Sequence, residues 1–200
     1  MPNLVELKQI KGDLQVHTNW TDGQNSIKEM AEAAKRIGLE YIVVSDHSKA
    51  LAMTGGLDEK DLVKQALEID KVNQVLEGIT VLKGVELNIL KDGSFDISDY
   101  ALSKLDVVSA AVHSYLDMAK DEMTQRIMKA LENPYLDILL HPTGRQIKRR
   151  EAVQLGIEKI IAVAKDTGTI LDIDSFPDRL DLRDEHIRRA VQLGEARNKH

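Results

Sequence analysis

Short apolar runs rich in Ile, Val and Leu alternate along the chain with longer segments of helical period. Each run is close to the usual length of a strand, and the segments between the runs are long enough for crossover helices. Apolar strands that alternate with helices are typical of a parallel sheet covered by helices. The pattern therefore predicts an α/β fold with six strands, at residues 13–16, 41–44, 79–82, 107–112, 136–140 and 169–173.

Polar caps and glycines mark the ends of the predicted helices. Ser26 and Glu29 have the spacing of a capping box, and Gly38 follows the apolar stripe of this first helix. Residues 58–77 show the same features, with Gly78 as the stop signal. Each helix connects one strand to the next, as a parallel sheet requires. Further helices are predicted near residues 121–132, 156–165 and 184–193.

Composition narrows the class of protein. The chain has 200 residues, of which 42% are hydrophobic and 30% charged, and this predicts a single globular domain over residues 1–200. Within it we expect an extension over residues 1–10 and a frayed tail over residues 195–200. There is no cysteine, which excludes disulfides and thiolate ligands, and no stretch resembles a membrane span or a signal peptide. We therefore expect a cytoplasmic protein with no membrane partner.

Histidines cluster at the predicted strand ends. Four of the six histidines and one glutamate come at or just after the carboxyl end of an apolar run: His17, His47, Glu86, His113 and His141. The successive spacings are 30, 39, 27 and 28 residues, which is the length of a βα unit. Because the carboxyl ends of parallel strands meet at one rim, we expect these side chains there. His186 and His200 do not follow this pattern and are expected to be solvent-exposed.

Further residues extend the expected site beside His17. Gln15 lies two positions earlier on the same strand, so both side chains point to one face, and Asp22 follows in a Thr-Asp-Gly turn that can fold back. We expect Asp22 to be a metal ligand and Gln15 a weak one. Asp46 precedes His47 and is expected to orient its neighbours rather than bind metal, since adjacent residues of a strand point in opposite directions.

The mixture of imidazoles and few carboxylates indicates a particular chemistry. Imidazole-rich sites suit Zn, Mn or Fe and disfavour the all-oxygen sites of Mg or Ca. Several divalent ions would outweigh the charge of Asp22 and Glu86, and the site would then attract an anion such as a phosphate ester. A metal-bound hydroxide is available at neutral pH, because the metal lowers the pKa of water from about 15.7 to about 7. The residues therefore predict hydrolysis of phosphoric esters.

The densest basic cluster of this acidic chain follows His141. Arg145 can clamp a phosphate through two N–H groups, and Lys148 and Arg149 can add positive charge. The alternative interpretation of these residues is a solvated helix start. The net charge of −6 argues against a broad grip on nucleic acid, and one Trp and two Phe offer few stacking surfaces for tight single-strand binding.

Six motifs resemble the PHP (polymerase and histidinol phosphatase) family: GDLQVHTNWTDG, VVSDHS, GVELNIL, AAVHS, HPTGR and LDIDSFPDRLDL. The first and fifth are most similar to the C-terminal PHP domain of bacterial and archaeal family X DNA polymerases. The resemblance implies a distorted, TIM-like (β/α)7 barrel with up to three divalent ions. It also implies 3′–5′ exonuclease or related phosphoesterase activity on DNA 3′ ends or nucleotides, beside a polymerase domain. Glu86 would be a catalytic, bridging ligand, and the implied metal ligands are His17, Asp22, His47, Glu86, His113 and His141.

The chain departs from the family pattern at two places. Gln15 stands where the family has the first histidine of a His-x-His motif, which weakens one metal position. After Gly194 no Asp-x-His motif follows, so we expect a barrel without its seventh strand and fewer ions, with the ion at Glu86, His113 and His141 dominant. Two other functions stay open: a small-molecule phosphatase resembling histidinol phosphatase, and a non-catalytic metal-binding module of a polymerase.

Overall fold

The computed structural model describes residues 5–194 of the chain. The chain forms two compact units: unit 1 comprises the residues up to 85 together with 104–107, and unit 2 comprises residues 86–103 and those from 108 onward. The single domain over 1–200 stays a prediction, and the predicted tail over 195–200 lies outside the described residues. Within residues 5–194, no helix is both long enough and apolar enough to span a membrane.

Unit 1 is built on parallel strands and two helices. The Ser26 and Glu29 capping box is present at the first helix, where the Ser26 N–H donates to the Glu29 carboxylate at 2.8 Å. Asp58 caps the second helix by accepting from two backbone N–H groups. The unit contains β1 (Gly12–Val16), α1 (Ile27–Arg36), β2 (Tyr41–Val44), α2 (Glu59–Val75) and residues 80–85 of β3 (Thr80–Asn88).

The core of unit 1 lies between its helices and strands. β1 pairs with β2, and β2 pairs with β3, in parallel. Each helix contributes the apolar face that its sequence period predicts. The buried cluster includes Ile27, Ala31, Ile42, Val44, Ile69 and Val81.

Unit 2 repeats the parallel arrangement with shorter strands. β4 pairs with β5, and β5 pairs with β6, in parallel. Its fully buried side chains include Met123, Ile127 and Leu131 of one helix and Ile160 and Ile161 of the next. The elements are residues 86–88 of β3, α3 (Asp99–Leu102), residues 108–111 of β4 (Val107–Ala111), α4 (Lys120–Leu131), β5 (Ile138–Leu139), α5 (Ile157–Thr167), β6 (Ile170–Leu171) and α6 (Asp184–Leu193).

The α/β fold with parallel strands is confirmed, and the differences lie in strand length. β3 continues six residues beyond the predicted end at Leu82, through Asn88. Gly84 permits this, because a Cβ there would lie 2.4 Å from Val43 Cγ1. β5 and β6 are two residues long, shorter than predicted, and the short helix α3 was not predicted. The extension of β3 matters most, since it places Glu86 within a strand.

Candidate metal centre

Unit 1 brings His17, Asp22 and His47 together. His17 follows β1 directly and donates from Nδ1 to Asp22 Oδ1 at 2.9 Å, while His47 Nε2 lies 3.5 Å from Asp22 Oδ2. The two imidazole rings meet edge to face with centroids 4.5 Å apart. One nitrogen or oxygen from each residue lies within 4.8 Å of the others, which is close enough for a shared metal ion. We call these three residues cluster 1.

Gln15 completes the hydrogen bonding of His17. Its side-chain amide nitrogen lies 2.9 Å from His17 Nε2. Since Asp22 can only accept when ionised, His17 carries its proton on Nδ1, and Nε2 accepts from the Gln15 amide. Gln15 therefore lies beside cluster 1 and occupies an imidazole nitrogen that could otherwise bind a metal ion, and its role as a weak ligand stays a prediction.

Asp46 stabilises the turn that carries Asp22 through hydrogen bonds. This carboxylate is fully buried and accepts from the Thr18 N–H at 2.8 Å and from the Thr18 and Thr21 hydroxyls at 2.6 and 2.5 Å. Gln65 of α2 donates a fourth hydrogen bond at 2.7 Å. Asp46 thus fixes the loop after β1, in agreement with its expected orienting role.

The surroundings of Asp22 keep it ionised. Partial burial alone raises the pKa of Asp22, but the hydrogen bond from His17 and the charges of His17 and His47 outweigh that effect and hold the pKa below its usual value. The side chain is 46% exposed, so the carboxylate stays open to solvent on one side. A charged, open carboxylate beside two imidazoles is a suitable metal ligand.

Unit 2 brings Glu86, His113 and His141 together, and we call them cluster 2. Glu86 lies on β3. His113 comes two residues after the end of β4, and His141 comes two residues after the end of β5. Glu86 Oε1 is 2.9 Å from His113 Nε2 and 3.5 Å from His141 Nε2. The Glu86 side chain is only 3% exposed. A buried carboxylate oxygen thus has two imidazole nitrogens directed at it.

Asn88 sets the tautomer of His113. Its side-chain carbonyl lies 2.8 Å from His113 Nδ1, and its amide nitrogen donates to Asp96 Oδ2 at 3.1 Å. The Asn88 oxygen is an acceptor, so His113 Nδ1 carries a proton. Sequence reasoning missed Asn88 and Asp96, although the period of two along β3 places Asn88 on the same face as Glu86.

His141 is held by its backbone as well as its ring. Its N–H donates to Asp172 Oδ2 at 3.2 Å, and its φ of 28° is unusual for a residue other than glycine. Burial lowers the pKa of His141, but the hydrogen bond and charge of Glu86 outweigh it and raise the pKa above its ordinary value. The other ring nitrogen, Nδ1, is buried, and no partner for it lies among the described residues.

Part of the basic cluster after His141 forms hydrogen bonds and an ion pair within the protein. Arg145 donates from Nη2 to the carbonyl oxygens of Arg179 and Leu180 at 2.9 and 2.8 Å. Lys148 and Arg149 are exposed, and Arg149 lies 3.6 Å from Asp178. Arg145 therefore anchors the loop after β6, and its role in phosphate binding, like that of the other two residues, stays a prediction.

One expectation about the remaining histidines is wrong. The sequence predicts an exposed His186, but its side chain is only 23% exposed and its Nδ1 is buried. The helix α6 packs against α5, and Ala190 of α6 is buried. His200 lies outside the described residues.

The donor sets of both clusters fit the divalent ions expected. In cluster 2, His113 Nδ1 is already protonated towards Asn88, yet its Nε2 faces a carboxylate oxygen that cannot donate when ionised. This contact requires a proton on one of the two groups or a bound cation. Imidazole nitrogen and carboxylate oxygen together suit Zn or Mn.

Comparison with protein families gives one match over almost the whole chain. A model described as "PHP domain" matches residues 13–196. The DNA polymerase/3′-5′ exonuclease PolX of Bacillus subtilis is 44% identical over 191 residues, covering 96% of this chain and 34% of that protein. A protein of Acetivibrio thermocellus named "Probable phosphatase" is 30% identical over 154 residues, covering 76% of this chain and 59% of that protein. The chain thus spans a third to three-fifths of these relatives.

Two solved structures share the fold at low sequence identity. A Listeria monocytogenes protein assigned as a histidinol phosphatase has a TM-score of 0.68 at 13% identity, covering 92% of this chain and 91% of that chain. Histidinol phosphate phosphatase from Lactococcus lactis, solved with zinc, L-histidinol and phosphate, has a TM-score of 0.59 at 16% identity, covering 92% and 82%. These likenesses support the expected fold class. The names of the relatives agree with the expected enzyme class, a hydrolase of phosphoric esters.

Proposed function

Because the chain belongs to the PHP family, we propose that it is a metal-dependent phosphoesterase that hydrolyses phosphodiester bonds at DNA 3′ ends. The observation that carries the proposal is the contact between His113 Nε2 and the buried Glu86 carboxylate, which requires either a shared proton or a bound cation. A divalent ion satisfies both groups at neutral pH without the need for a proton.

The residues of each cluster would hold the ions. Glu86, His113 and His141 would bind one ion, and His17, Asp22 and His47 would bind in unit 1, with Zn or Mn as the expected metals. When bound, such an ion acts as a Lewis acid on a phosphoryl oxygen and lowers the pKa of water to about 7.

The side chains around the clusters position these ligands. Asn88 keeps the proton of His113 on Nδ1, so the Nε2 lone pair faces the carboxylate of Glu86. Asp22 likewise accepts a hydrogen bond from His17 Nδ1 and keeps the proton of His17 on that nitrogen. Beyond His141, Arg145 with Lys148 and Arg149 supplies positive charge for the substrate phosphate, with Arg145 already oriented by the carbonyls of residues 179 and 180.

The preference for DNA ends rests on sequence similarity. The B. subtilis relative with 44% identity is named as a polymerase and 3′-5′ exonuclease, and the chain covers 34% of its length. We infer that this domain acts beside a polymerase domain and receives the 3′ ends of its product. A cytoplasmic location fits this role and stays a prediction.

Two alternative functions are distinguished by the same test. A histidinol-phosphatase-like activity is suggested by the structural neighbours, but at 13% and 16% identity these support the fold alone. A non-catalytic metal-binding module would bind ions without turnover.

The test combines metal analysis with a substrate panel. The purified chain is analysed for bound metal and assayed with Zn²⁺ or Mn²⁺ on an aryl phosphate, a 3′-ended oligonucleotide and histidinol phosphate. We expect mononucleotides from the oligonucleotide and little release of phosphate from histidinol phosphate. The reverse preference would favour the small-molecule phosphatase, and bound metal with no turnover of any substrate would favour the non-catalytic module.

A further inference from the structure

An exposed tyrosine lies close in the chain to His113 of cluster 2. Tyr115 follows His113 by two residues in the loop after β4, and the residue is 56% exposed. Its φ of 54° lies in the left-handed region, which is unfavourable for a residue with a Cβ. Such a conformation persists only where the surroundings impose it, and it is often found at binding sites. The protein thus presents an aromatic ring to solvent from a constrained loop.

The buried side chain of Arg126 binds the backbone next to Tyr115. Arg126 of α4 is 2% exposed, and its guanidinium donates to the Ser114 carbonyl and to the Leu90 carbonyl, both at 2.9 Å. It also donates to the Ile89 carbonyl. One side chain therefore ties the loop after β3, which follows Asn88, to the loop after β4.

Lys91 adds a positive charge next to the ring. Its ammonium lies 5.3 Å from the centroid of the Tyr115 ring, within the range of a cation–π interaction. Both residues are exposed. An aromatic face with an adjacent ammonium can bind a base and a neighbouring phosphate at once.

We propose that Tyr115, with Lys91, is the stacking surface for the base of the terminal nucleotide. This inference rests on the proposed function and names the part of the substrate that gives the site its preference for nucleotides. Two residues of chain span at most about 7 Å, so the backbone of Tyr115 lies within about the length of a nucleotide from that of His113. Stacking on one aromatic face tolerates every base, so this surface selects nucleotides without reading sequence.

The test measures stacking directly, apart from turnover. A short single-stranded oligonucleotide carries 2-aminopurine as its 3′-terminal base, whose fluorescence falls on stacking, and a terminal phosphorothioate linkage that slows cleavage. It is titrated with the full chain in the presence of Zn²⁺. The variants are Tyr115→Leu, which removes the aromatic face, and Tyr115→Phe, which keeps it. The matched control is Tyr100→Leu, because Tyr100 is 78% exposed and lies in α3, which leads to the amino end of β4.

We expect the wild type to quench the fluorescence and Tyr115→Leu to bind roughly tenfold more weakly with the quenching lost. Tyr115→Phe and Tyr100→Leu should match the wild type, and circular dichroism checks that each variant is folded. No quenching by the wild type, or equal affinity and quenching for Tyr115→Leu, would overturn the proposal. Failure to release nucleotides from an unmodified oligonucleotide would instead overturn the proposed function, and the quenching result would still decide the role of Tyr115.

Discussion

His17 of unit 1 and His113 of unit 2 have the same kind of hydrogen-bond partner at one ring nitrogen and different kinds at the other. Each donates from Nδ1 to a side-chain oxygen, that of Asp22 or that of Asn88. The Nε2 of His17 then meets the amide of Gln15, whereas the Nε2 of His113 meets the carboxylate of Glu86. An amide N–H satisfies the nitrogen by itself, but a carboxylate satisfies it only when a proton or a cation is present. Cluster 2 therefore has the greater need for a metal ion.

The buried carboxylates of the two units differ in the same way. Asp46 accepts four hydrogen bonds from hydroxyl, amide and backbone donors, so its charge is stabilised by neutral groups. Glu86 faces imidazole nitrogens, whose lone pairs can bind metal. The identity of the partners, rather than the depth of burial, separates a carboxylate that supports a loop from one that is able to bind a metal ion.

The largest effect should come from Glu86→Gln. An amide cannot supply the negative charge that pairs with a cation, so bound metal and phosphoesterase activity should fall together, by more than the roughly 10–100-fold cost of losing a group that only orients a ligand. His113→Ala should act in the same direction. Metal content by mass spectrometry and the initial rate are compared with Glu122→Gln, an exposed control on α4. Unchanged metal content in either variant would remove cluster 2 as the principal site.

Asn88→Asp tests whether the hydrogen-bond chain through Asn88 positions the ring of His113. The new carboxylate repels Asp96 in place of donating to it, so the ring of His113 loses its support and the rate should fall by about 10–100-fold. Combining Asn88→Asp with Asp96→Asn restores a donor to that carboxylate and should recover most of the rate. A double variant no better than the single one would show that this hydrogen-bond chain does not position His113.

Asp46→Ala should reduce stability rather than chemistry. Four donors lose their acceptor in a buried place, at a cost of about 1–3 kcal/mol. For a chain of this size, Tm should fall by roughly 5 °C. Thermal unfolding is followed by circular dichroism in a metal chelator, with Asp166→Ala on the exposed face of α5 as control. A lost metal ion with unchanged Tm would mean that Asp46 is itself a ligand.

Gln15→His should strengthen cluster 1. An imidazole in place of the amide removes the donor to His17 and adds a ligand, so metal content should rise by about one ion per chain. Gln125→His, on the exposed face of α4, controls for an added histidine as such. If both variants bind the same amount of metal, the amide of Gln15 is not what limits cluster 1.

Arg145→Lys should have the smallest effect. Lysine keeps the charge but loses the planar fork, so KM for an oligonucleotide should rise by roughly threefold with little change in kcat. Arg36→Lys, at the end of α1, serves as the control. An unchanged kcat/KM would mean that Arg145 only stabilises the loop after β6 and does not bind the substrate phosphate.

Sequence pattern anticipated the components of both clusters because their placement depends on strand ends. A histidine that follows a buried parallel strand must lie near the carboxyl edge of its sheet, whatever its neighbours are. For the same reason the capping box at Ser26 and the glycine stops were readable, since they involve contacts within a few residues. Strand length was harder to predict from the sequence. Gly84 interrupts the apolar run and so suggests an early strand end, yet it lets β3 pass close to Val43 and reach Asn88.

The residues that pattern missed act through contacts between distant parts of the chain. Asn88 meets a histidine 25 residues away, and Gln65 of α2 reaches Asp46 across 19 residues. Arg126 is an ordinary helical residue by period, and only the fold shows its guanidinium bound to carbonyls of two loops.

The sequence by itself determined the α/β class, the order of the elements and the residues able to bind metal. These follow from local period, from helix ends and from the chemistry of imidazole and carboxylate groups. The tertiary structure decided which nitrogen of each histidine carries the proton and which buried carboxylate meets imidazoles. It also decided that Tyr115 is exposed with the Lys91 ammonium over its ring. Hydrogen bonds and charges act over a few ångströms in space, and sequence separation does not reveal which groups come within that distance.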